Sequence, residues 1–553
     1  MSKRKSSFWV IDCETDPFKV GRVPQPFIWG VYGGEDYNYF TCESVQEIVD
    51  FFERQKTIVY AHNGGKFDYH YLRRFINTDE SISIISGRLS KFRIGTCEFR
   101  DSMNILPVPL SAFKKDRIDY TIMEAEHRDN PIHRAEILHY LQNDCRYLHE
   151  LIEEHRKENG IVLTQASASM RKWLKTSKNE RPKQTAMQFE RHKPFYYGGR
   201  VQCFKEGDAY CDFKLIDINS AYPRAMLEYH PFSVDSMVLD HLPRDGDLHK
   251  CMVHLRGIAR GCFPWRNEKD HSLYFPDDEK TVRDYFITGY ELIAALKHNA
   301  IKIFEVVEVK YFVNTVNFED FILTNWDRRA QAKKDGNTAL SIIVKLLMNS
   351  LYGKFASDYS KYHDYLLAST DSIGAWMAAG YEYDAEWENQ ITLLSRPISE
   401  DKHKYYNIAT AASITGYVRA MVFEALQTVD TPIYCDTDSI AAVGLGKCQL
   451  GDSLGEWKEE GDFDHYAIAG KKTYAFHKAG TPFTDDLDDD GQYKHYKLAC
   501  KGVDLSPSEI LQVSKGIIVN YAPQVPTYSV KRTSPIFVNR NVAKTAKDIR
   551  VVQ

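Results

Sequence analysis

Residues 432–443 read PIYCDTDSIAAV, two carboxylates, Asp436 and Asp438, spaced by one threonine inside a run of strand-forming residues. The pattern predicts a β-hairpin turning at Asp-Thr-Asp. Far upstream, KLIDINSAYPRAM (214–226) sets Asp217 at the end of another apolar strand. Carboxylates meeting at the ends of neighbouring strands repel one another unless cations offset the charge, so the trio predicts a metal site. Between the two stretches, WDRRAQAKKDGNTALSIIVKLLMNSLYGKFA (326–356) reads as two helices divided by Asp335-Gly336-Asn337. On the second helix Lys345, Asn349 and Tyr352 fall at i, i+4 and i+7, on one face.

The first 180 residues read as α/β. FWVID and TIVYAHN are buried strands, and AEILHYLQNDCRYLHELIEEH is a helix whose Ile137, Leu141, Cys145, Leu148 and Ile152 form an apolar stripe. Alternation puts Asp12 and Glu14 on one face of the first strand, roughly 7 Å apart. HNGGKFD places Asn63 and Asp68 on a loop after the second strand, and Tyr140 and Asp144 share a helix face at i, i+4. The stretch 357–405 reads as an irregular insertion of mixed charge. From Ser529 onward six Lys/Arg face one acid, a candidate phosphate-tracking surface or a solvated tail.

Composition bounds the answer. At about 150 residues per domain, 553 residues predict three or four domains. With 43% hydrophobic and 27% charged residues the chain is globular rather than disordered. A net charge of −5 excludes a histone-like basic binder, yet an acidic metal site can sit within a locally basic cleft. Mean hydropathy is −0.44, no apolar run reaches the roughly 18–20 residues of a membrane span, and the basic N-terminus lacks the apolar core of a signal peptide. Eleven scattered Cys without a CxxC pair suit a reducing compartment, so the expected location is the cytoplasm. TDDLDDDGQY opens like a calcium loop at Asp486, Asp488, Asp490 and Gly491, but Lys497 stands where the bidentate Glu is needed.

Taken in order, a strand DxE, a loop N…FD and a helix YxxxD resemble the 3′–5′ exonuclease domain of family-B DNA polymerases. The pair DxxSxYP and DTDS resembles that family's motifs A and C, and KLLMNSLYGKFA its motif B. The long stretches 230–319 and 357–405, together with VPQPFIWGVYGG, AHNGGKFD and ATAASITG, are most similar to the protein-primed polymerases of linear-genome bacteriophages, tectivirus-type above all. The implied fold is multidomain α/β, an RNase H-like exonuclease domain joined to a right-hand polymerase. Its parts would be exonuclease 1–185, palm 186–229, first terminal-protein region 230–319, fingers 320–356, second terminal-protein region 357–405, palm 406–504 and thumb 505–553.

The resemblance also implies roles. Asp12, Glu14, Asp68 and Asp144 would hold divalent ions for 3′–5′ cleavage, with Tyr140 placing the water and Lys115 stabilising the transition state. Thr15, His62, Asn63, Phe67 and Ser102 would hold a frayed primer strand. Asp217, Asp438 and the Ile218 carbonyl, assisted by Asp436, would bind two Mg²⁺ (or Mn²⁺) for nucleotide addition. Tyr222 would exclude a 2′-OH, and Lys333, Lys345, Asn349 and Tyr352 would contact the dNTP. YYGGR (Tyr197, Gly198, Gly199) would meet the template, its glycines letting phosphates approach, while Gly353, Lys472 and Tyr474 would contact DNA. Implied partners are primer-template DNA, dNTPs and a terminal protein, the chain being a monomer or a heterodimer with that protein. The first insertion would dock the terminal protein, and the second would close a ring with the thumb and part the strands. The alternatives are a repair-type family-B polymerase on ordinary primers and a catalytically dead scaffold. The second would lack acidic residues that are all present here.

Overall fold

In the computed structural model, residues 7–545 are described except 178, 388–389, 405 and 489–490. The strand Trp9–Thr15 pairs antiparallel with Pro26–Gly33 and parallel with Ile58–Ala61. Against it lies the helix Pro131–Asn159, started by Asn130, whose side chain accepts from the Ile132 amide, and by Pro131 in the first turn. The five predicted stripe residues are all buried. They pack with Val10, Ile28 and Tyr60, which fixes the helix over the acidic strand end.

The stretch 357–405 is not irregular. It forms strands His363–Ala368, Glu382–Glu386 and Thr392–Pro397, which continue the N-terminal sheet to ten strands through pairing of His363–Ala368 with Glu80–Ile85. Leu367, Trp387 and Leu393 are buried in the same core as Trp29 and Phe99. Six-residue strands mixed with charge carry too short an alternation to be read alone, and their pairing partner is remote in sequence.

The expected palm is a seven-stranded sheet, in spatial order Tyr496–Cys500, Thr473–Lys478, Trp457–Gly470, Gly207–Ile218, Ser439–Gly444, Asp430–Thr437 and Arg200–Cys203. The predicted helices are Glu319–Lys334 and Thr338–Phe355, with Asn337 capping the second through the Leu340 amide. The first insertion carries a four-stranded sheet of its own, Met237–Leu239, Ile301–Tyr311, Cys251–Ala259 and Arg283–Thr288.

In the region expected to be the thumb, the helix Pro507–Ser514 packs on the palm sheet through Ile510 and Val513, while Val530 joins the N-terminal core. The basic end is largely engaged. Lys531 pairs with Asp384, Arg540 donates to the Gly502 carbonyl, and Lys544 stands 3.9 Å from Glu206. That argues against the open phosphate-tracking surface. Lys547 and Arg550 lie outside the described residues.

Candidate active sites

In the palm, register places Ser439 opposite Asp217, and the Ile218 amide donates to the Asp438 carbonyl at 2.8 Å. Asp217 and Asp438 therefore stand side by side at adjoining strand ends. They line a cavity of about 350 Å³ with Asp436, Lys472, Tyr474, Glu460 and Lys497. Burial, then Asp438 and Glu460, push the Asp217 carboxyl up to about 7. Burial and Asp436 push Asp438 up to about 6. Neither has an ion-pair partner among the described residues. Glu460 and Lys497, paired at 2.9 Å, were not picked out as part of this site by sequence. Lys497 had only counted against a calcium loop, whose Asp490 lies outside the described residues.

Asp436 is met by hydrogen-bond donors of its own. It accepts Lys472 Nζ at 2.6 and 2.9 Å, Thr437 Oγ1 at 3.1 Å and Tyr434 O–H at 3.4 Å. Its oxygens accept from these donors, which holds Lys472 beside the two carboxylates. Thr437 and Lys472 adopt φ of 64° and 58°, and Ser220 and Asn63 of motif A and the NGGKFD loop 55° and 63°. For a β-branched Thr this is a strained backbone, of order 1–3 kcal/mol, held by surrounding packing. Gly199 explains part of that packing. A Cβ there would meet Thr437 Cγ2 at 2.7 Å, so this glycine admits the threonine. Gly198, by contrast, is open to solvent. Tyr197 is buried, and the Tyr197 and Gly198 carbonyls accept from Arg419, itself buried against Glu291 at 2.7 Å.

The Tyr222 and Tyr352 rings stack, centroids 4.3 Å apart and 11° from parallel, joining the strand end to the motif-B helix. Lys345 is exposed on that helix, Asn349 half-buried, and Gly353 exposed with open space around it. The nearby Arg329 charge, then burial, Lys458 and Lys345, hold the Lys333 ammonium below its usual range. Sequence had missed Arg329. Its Nε is buried without a hydrogen-bond partner, and the guanidinium has no ion pair among the described residues. Four cations facing one another are the field an anionic triphosphate relieves. Tyr474 is buried, stacked on Phe476 at 4.3 Å.

The N-terminal site is a cavity of about 900 Å³ into which Asp12, Glu14, Asp68 and Asp144 converge. Burial comes first in raising each carboxyl, and for Asp12 the charges of Asp68, Glu14 and Asp144 add to it. Burial opposes the Lys115 charge, but Asp144, Tyr120, Asp12 and Glu14 outweigh it. Its Nζ stands 3.8 Å from Asp144, and Tyr120 and Tyr140 hydroxyls meet at 3.1 Å. Asp144 Oδ1 is buried with no hydrogen-bond partner, as an oxygen reserved for a cation would be. Cys13 Sγ donates to Asp68 at 3.2 Å. Among the described residues, no three acidic, His or Cys groups are yet drawn tightly enough to hold an ion.

The expected strand-holding residues divide. Phe67 and His62 line the cavity with Thr15 and Asn63. Asn63 accepts from Arg88, which also pairs with Asp101 at 2.9 Å. Gly65 allows this crowding, since a Cβ there would lie 2.3 Å from the Leu89 carbonyl. Ser102 is a correction. It is fully buried, its hydroxyl 3.0 Å from His62 Nδ1 and 3.1 Å from the Ala61 carbonyl, so it orients His62 and presents nothing to a strand.

A family model described as DNA polymerase type B, organellar and viral, matches residues 113–445, more than half of the chain. The DNA-directed DNA polymerase of Enterobacteria phage PRD1 is 33% identical over 518 residues, covering 92% of this chain and 88% of that protein. The DNA polymerase of Bacillus phage phi29 is 25% identical over 434 residues, 71% of this chain and 69% of that one. The solved structure of phi29 DNA polymerase complexed with primer-template DNA superposes with a TM-score of 0.72 at 19% identity, over 98% of this chain and 100% of that one. The likeness shows that the fold is an exonuclease-type domain followed by palm, fingers and thumb. No helix among the described residues is long and apolar enough to cross a membrane. The chain thus belongs to the type B DNA polymerases of organelles and viruses and is a DNA-directed DNA polymerase.

Proposed function

We propose that this chain replicates linear DNA from a protein primer and removes misincorporated 3′ ends at its second site. The observation that carries the polymerase chemistry is the strand register that sets Asp217 beside Asp438, both raised by burial and by neighbouring carboxylates. Asp217, Asp438 and the Ile218 carbonyl would hold Mg²⁺ there, and Asp12, Glu14, Asp68 and Asp144 would do so in the N-terminal cavity. Bound Mg²⁺ supplies a lowered hydroxyl pKa and charge neutralisation at the phosphates.

The chain's own residues do the positioning. Lys345, Lys333 and Arg329 draw in the triphosphate. The Tyr222 ring, braced by Tyr352, lies under the sugar and crowds a 2′-OH. Lys472, steered by Asp436, faces the primer terminus. In the other site Lys115 lends positive charge beside Asp144, and Tyr140, neutral through burial and the Asp144 charge, can orient a water.

Protein priming is supported by the two folded insertions. The first is a separate sheet beside the palm. The second joins the C-terminal segment through Trp387 Nε1 donating to the Val530 carbonyl at 2.7 Å and through the Lys531–Asp384 pair, as a closed ring requires. The test is incubation of purified protein with linear template, Mg²⁺, dNTP and the terminal protein of the same genome. A protein–nucleotide adduct is expected. Extension of DNA primers without any adduct would leave the ordinary-primer alternative.

A further inference from the structure

Of the four cations that face one another between palm and fingers, Lys458 is the one the palm supplies. Arg329, Lys333 and Lys345 sit on the helices Glu319–Lys334 and Thr338–Phe355, while Lys458 is the second residue of the strand Trp457–Gly470. Strand register sets it directly opposite Asp217, as it sets Ser439 on the other side. Directly opposed residues of antiparallel strands share a face, with Cβ atoms roughly 4.5–5.5 Å apart. Ser439, Asp217 and Lys458 thus form one row across the sheet at its catalytic end.

The root of Lys458 is fixed and its tip is free. Trp457, just before it, is buried with Ile218 in the core that also holds Leu347 and Leu351 of the motif-B helix. The preceding turn is clasped by Asn219, whose amide donates to the Glu456 carbonyl and whose carbonyl accepts from the Gly455 amide, both at 2.9 Å. Asn219 Nδ2 also donates to the Gly451 carbonyl at 2.8 Å. The two acids that follow Lys458 are taken by other lysines, Glu459 by Lys214 at 2.8 Å and Glu460 by Lys497 at 2.9 Å. Lys458 itself is exposed and has no ion pair or side-chain hydrogen bond among the described residues. After Arg329 and burial, its charge bears on Lys333 across the gap, with Asp452 offsetting part of the effect. An exposed lysine is more often merely solvated. This one stands on the face of Asp217, is passed over by both adjacent acids, and points its charge at the cations of the opposite element.

We propose that Lys458 binds the β- and γ-phosphates of the incoming nucleotide from the palm side and then holds the pyrophosphate that leaves. This rests on the reading that Lys333 and Lys345 take the triphosphate. In the transfer, the 3′ oxygen of a primer, or the hydroxyl oxygen of a protein primer, bonds to the α-phosphorus. The bond from that phosphorus to the α,β-bridging oxygen breaks, its electron pair departs on pyrophosphate, and the hydroxyl proton goes to solvent. Negative charge grows on the leaving group as the bond breaks, and a cation fixed at its root stabilises that charge without having to reorganise. Before the nucleotide arrives, Lys458 and Lys333 repel each other between palm and fingers. The triphosphate turns that repulsion into a bridge, so its charge draws the two elements together.

The test is single-nucleotide primer extension by the full chain with Mg²⁺, using inorganic pyrophosphate as product inhibitor, for native protein, Lys458→Met, Lys458→Arg and Lys345→Met. The Lys458 side chain is exposed, and a thermal melt checks that folding is retained. Lys458→Met should raise both KM for dNTP and the inhibition constant of pyrophosphate about 10- to 100-fold, as loss of one charge-assisted hydrogen bond implies. KM for primer-template should stay level, and Lys458→Arg should restore most of the loss. With one cation fewer, KM for dNTP should also climb less steeply with added salt in Lys458→Met than in native protein. Unchanged dNTP KM and pyrophosphate inhibition in Lys458→Met, while Lys345→Met raises both, overturns the role of Lys458 and leaves the triphosphate reading standing. A raised KM for primer-template alone makes Lys458 a DNA contact and overturns the proposal as well. If Lys345→Met also changes neither constant, the triphosphate reading falls, and this inference with it.

Discussion

Arg419→Met offers the sharpest test of how the palm holds Tyr197 and Gly198, the expected template contacts. Arg419 and Glu291 are each 1% exposed, paired at 2.7 Å, and the guanidinium also donates to the Tyr197 and Gly198 carbonyls at 2.8 and 2.9 Å. Methionine keeps most of the volume but strands the Glu291 charge, which costs about 3–5 kcal/mol for a buried pair. At about 2.1 cal/mol/K per residue, that is a fall in Tm of about 3 °C for the whole chain. Glu291→Gln can still accept from the Thr288 amide and hydroxyl, which Glu291 holds at 2.9 and 2.8 Å. The double variant should therefore recover most of the stability, because no charge remains buried. It should not recover template affinity, because the two carbonyls still lack their donor. Calorimetric melts and primer-extension KM for template, read across the double-mutant cycle, separate the two effects. A single-variant cost below about 1 kcal/mol, or a double variant as unstable as the two single costs combined, would refute the reasoning.

Other outcomes follow from the same geometry. Asp438→Ala should abolish primer extension and spare single-strand degradation, and Asp12→Ala with Asp68→Ala the reverse; loss of both activities from either change in folded protein would contradict separate sites. Tyr222→Val should raise ribonucleotide use on the order of 10²-fold relative to dNTP, since the ring that crowds the sugar is gone, and an unchanged ratio would place the gate elsewhere. Buried His155, His192 and His230 are each held down to about 4, chiefly by burial, against 6.5 when exposed. The unfolded chain then binds more protons, so their contribution is complete above about pH 6.5 and lost as pH falls toward 4, about 2 kcal/mol each by pH 5. A urea midpoint unchanged between pH 7.5 and 5 would show that these histidines are not neutral in the fold.

Much of the catalytic layout was legible because its signals are local. The DTDS hairpin, the Asp217 strand, the Asp-Gly-Asn break and the stripe on Pro131–Asn159 depend on periodicity and turn chemistry within a few residues. What could not be read locally depended on remote partners. Nothing near Asp436 in sequence announces that Lys472 will occupy it, nor that Ser102 will spend its hydroxyl on His62. Gly199 is the instructive case. Its lack of a side chain was visible, but the neighbour that needs the room, Thr437, comes from a strand far along the chain. Charge counting misread the C-terminal end for the same reason, since Asp384, the Gly502 carbonyl and Glu206 all lie outside it.

The ten-stranded sheet also bears on how the chain avoids sticking to itself. Glu80–Ile85 would be an edge strand if the sheet ended there, with Ile82 buried on one side and a row of unsatisfied amides and carbonyls open to other chains. The hairpin 363–397 covers that row and moves the edge outward to Glu382–Glu386, whose two glutamates and one aspartate discourage strand addition. Trimming the insertion to test the proposed ring would therefore expose a sticky edge as well as remove the proposed closure. A shortened chain that precipitates says little about strand separation. Substitutions within the hairpin that leave its backbone pairing intact are the changes from which its part in replication can be read.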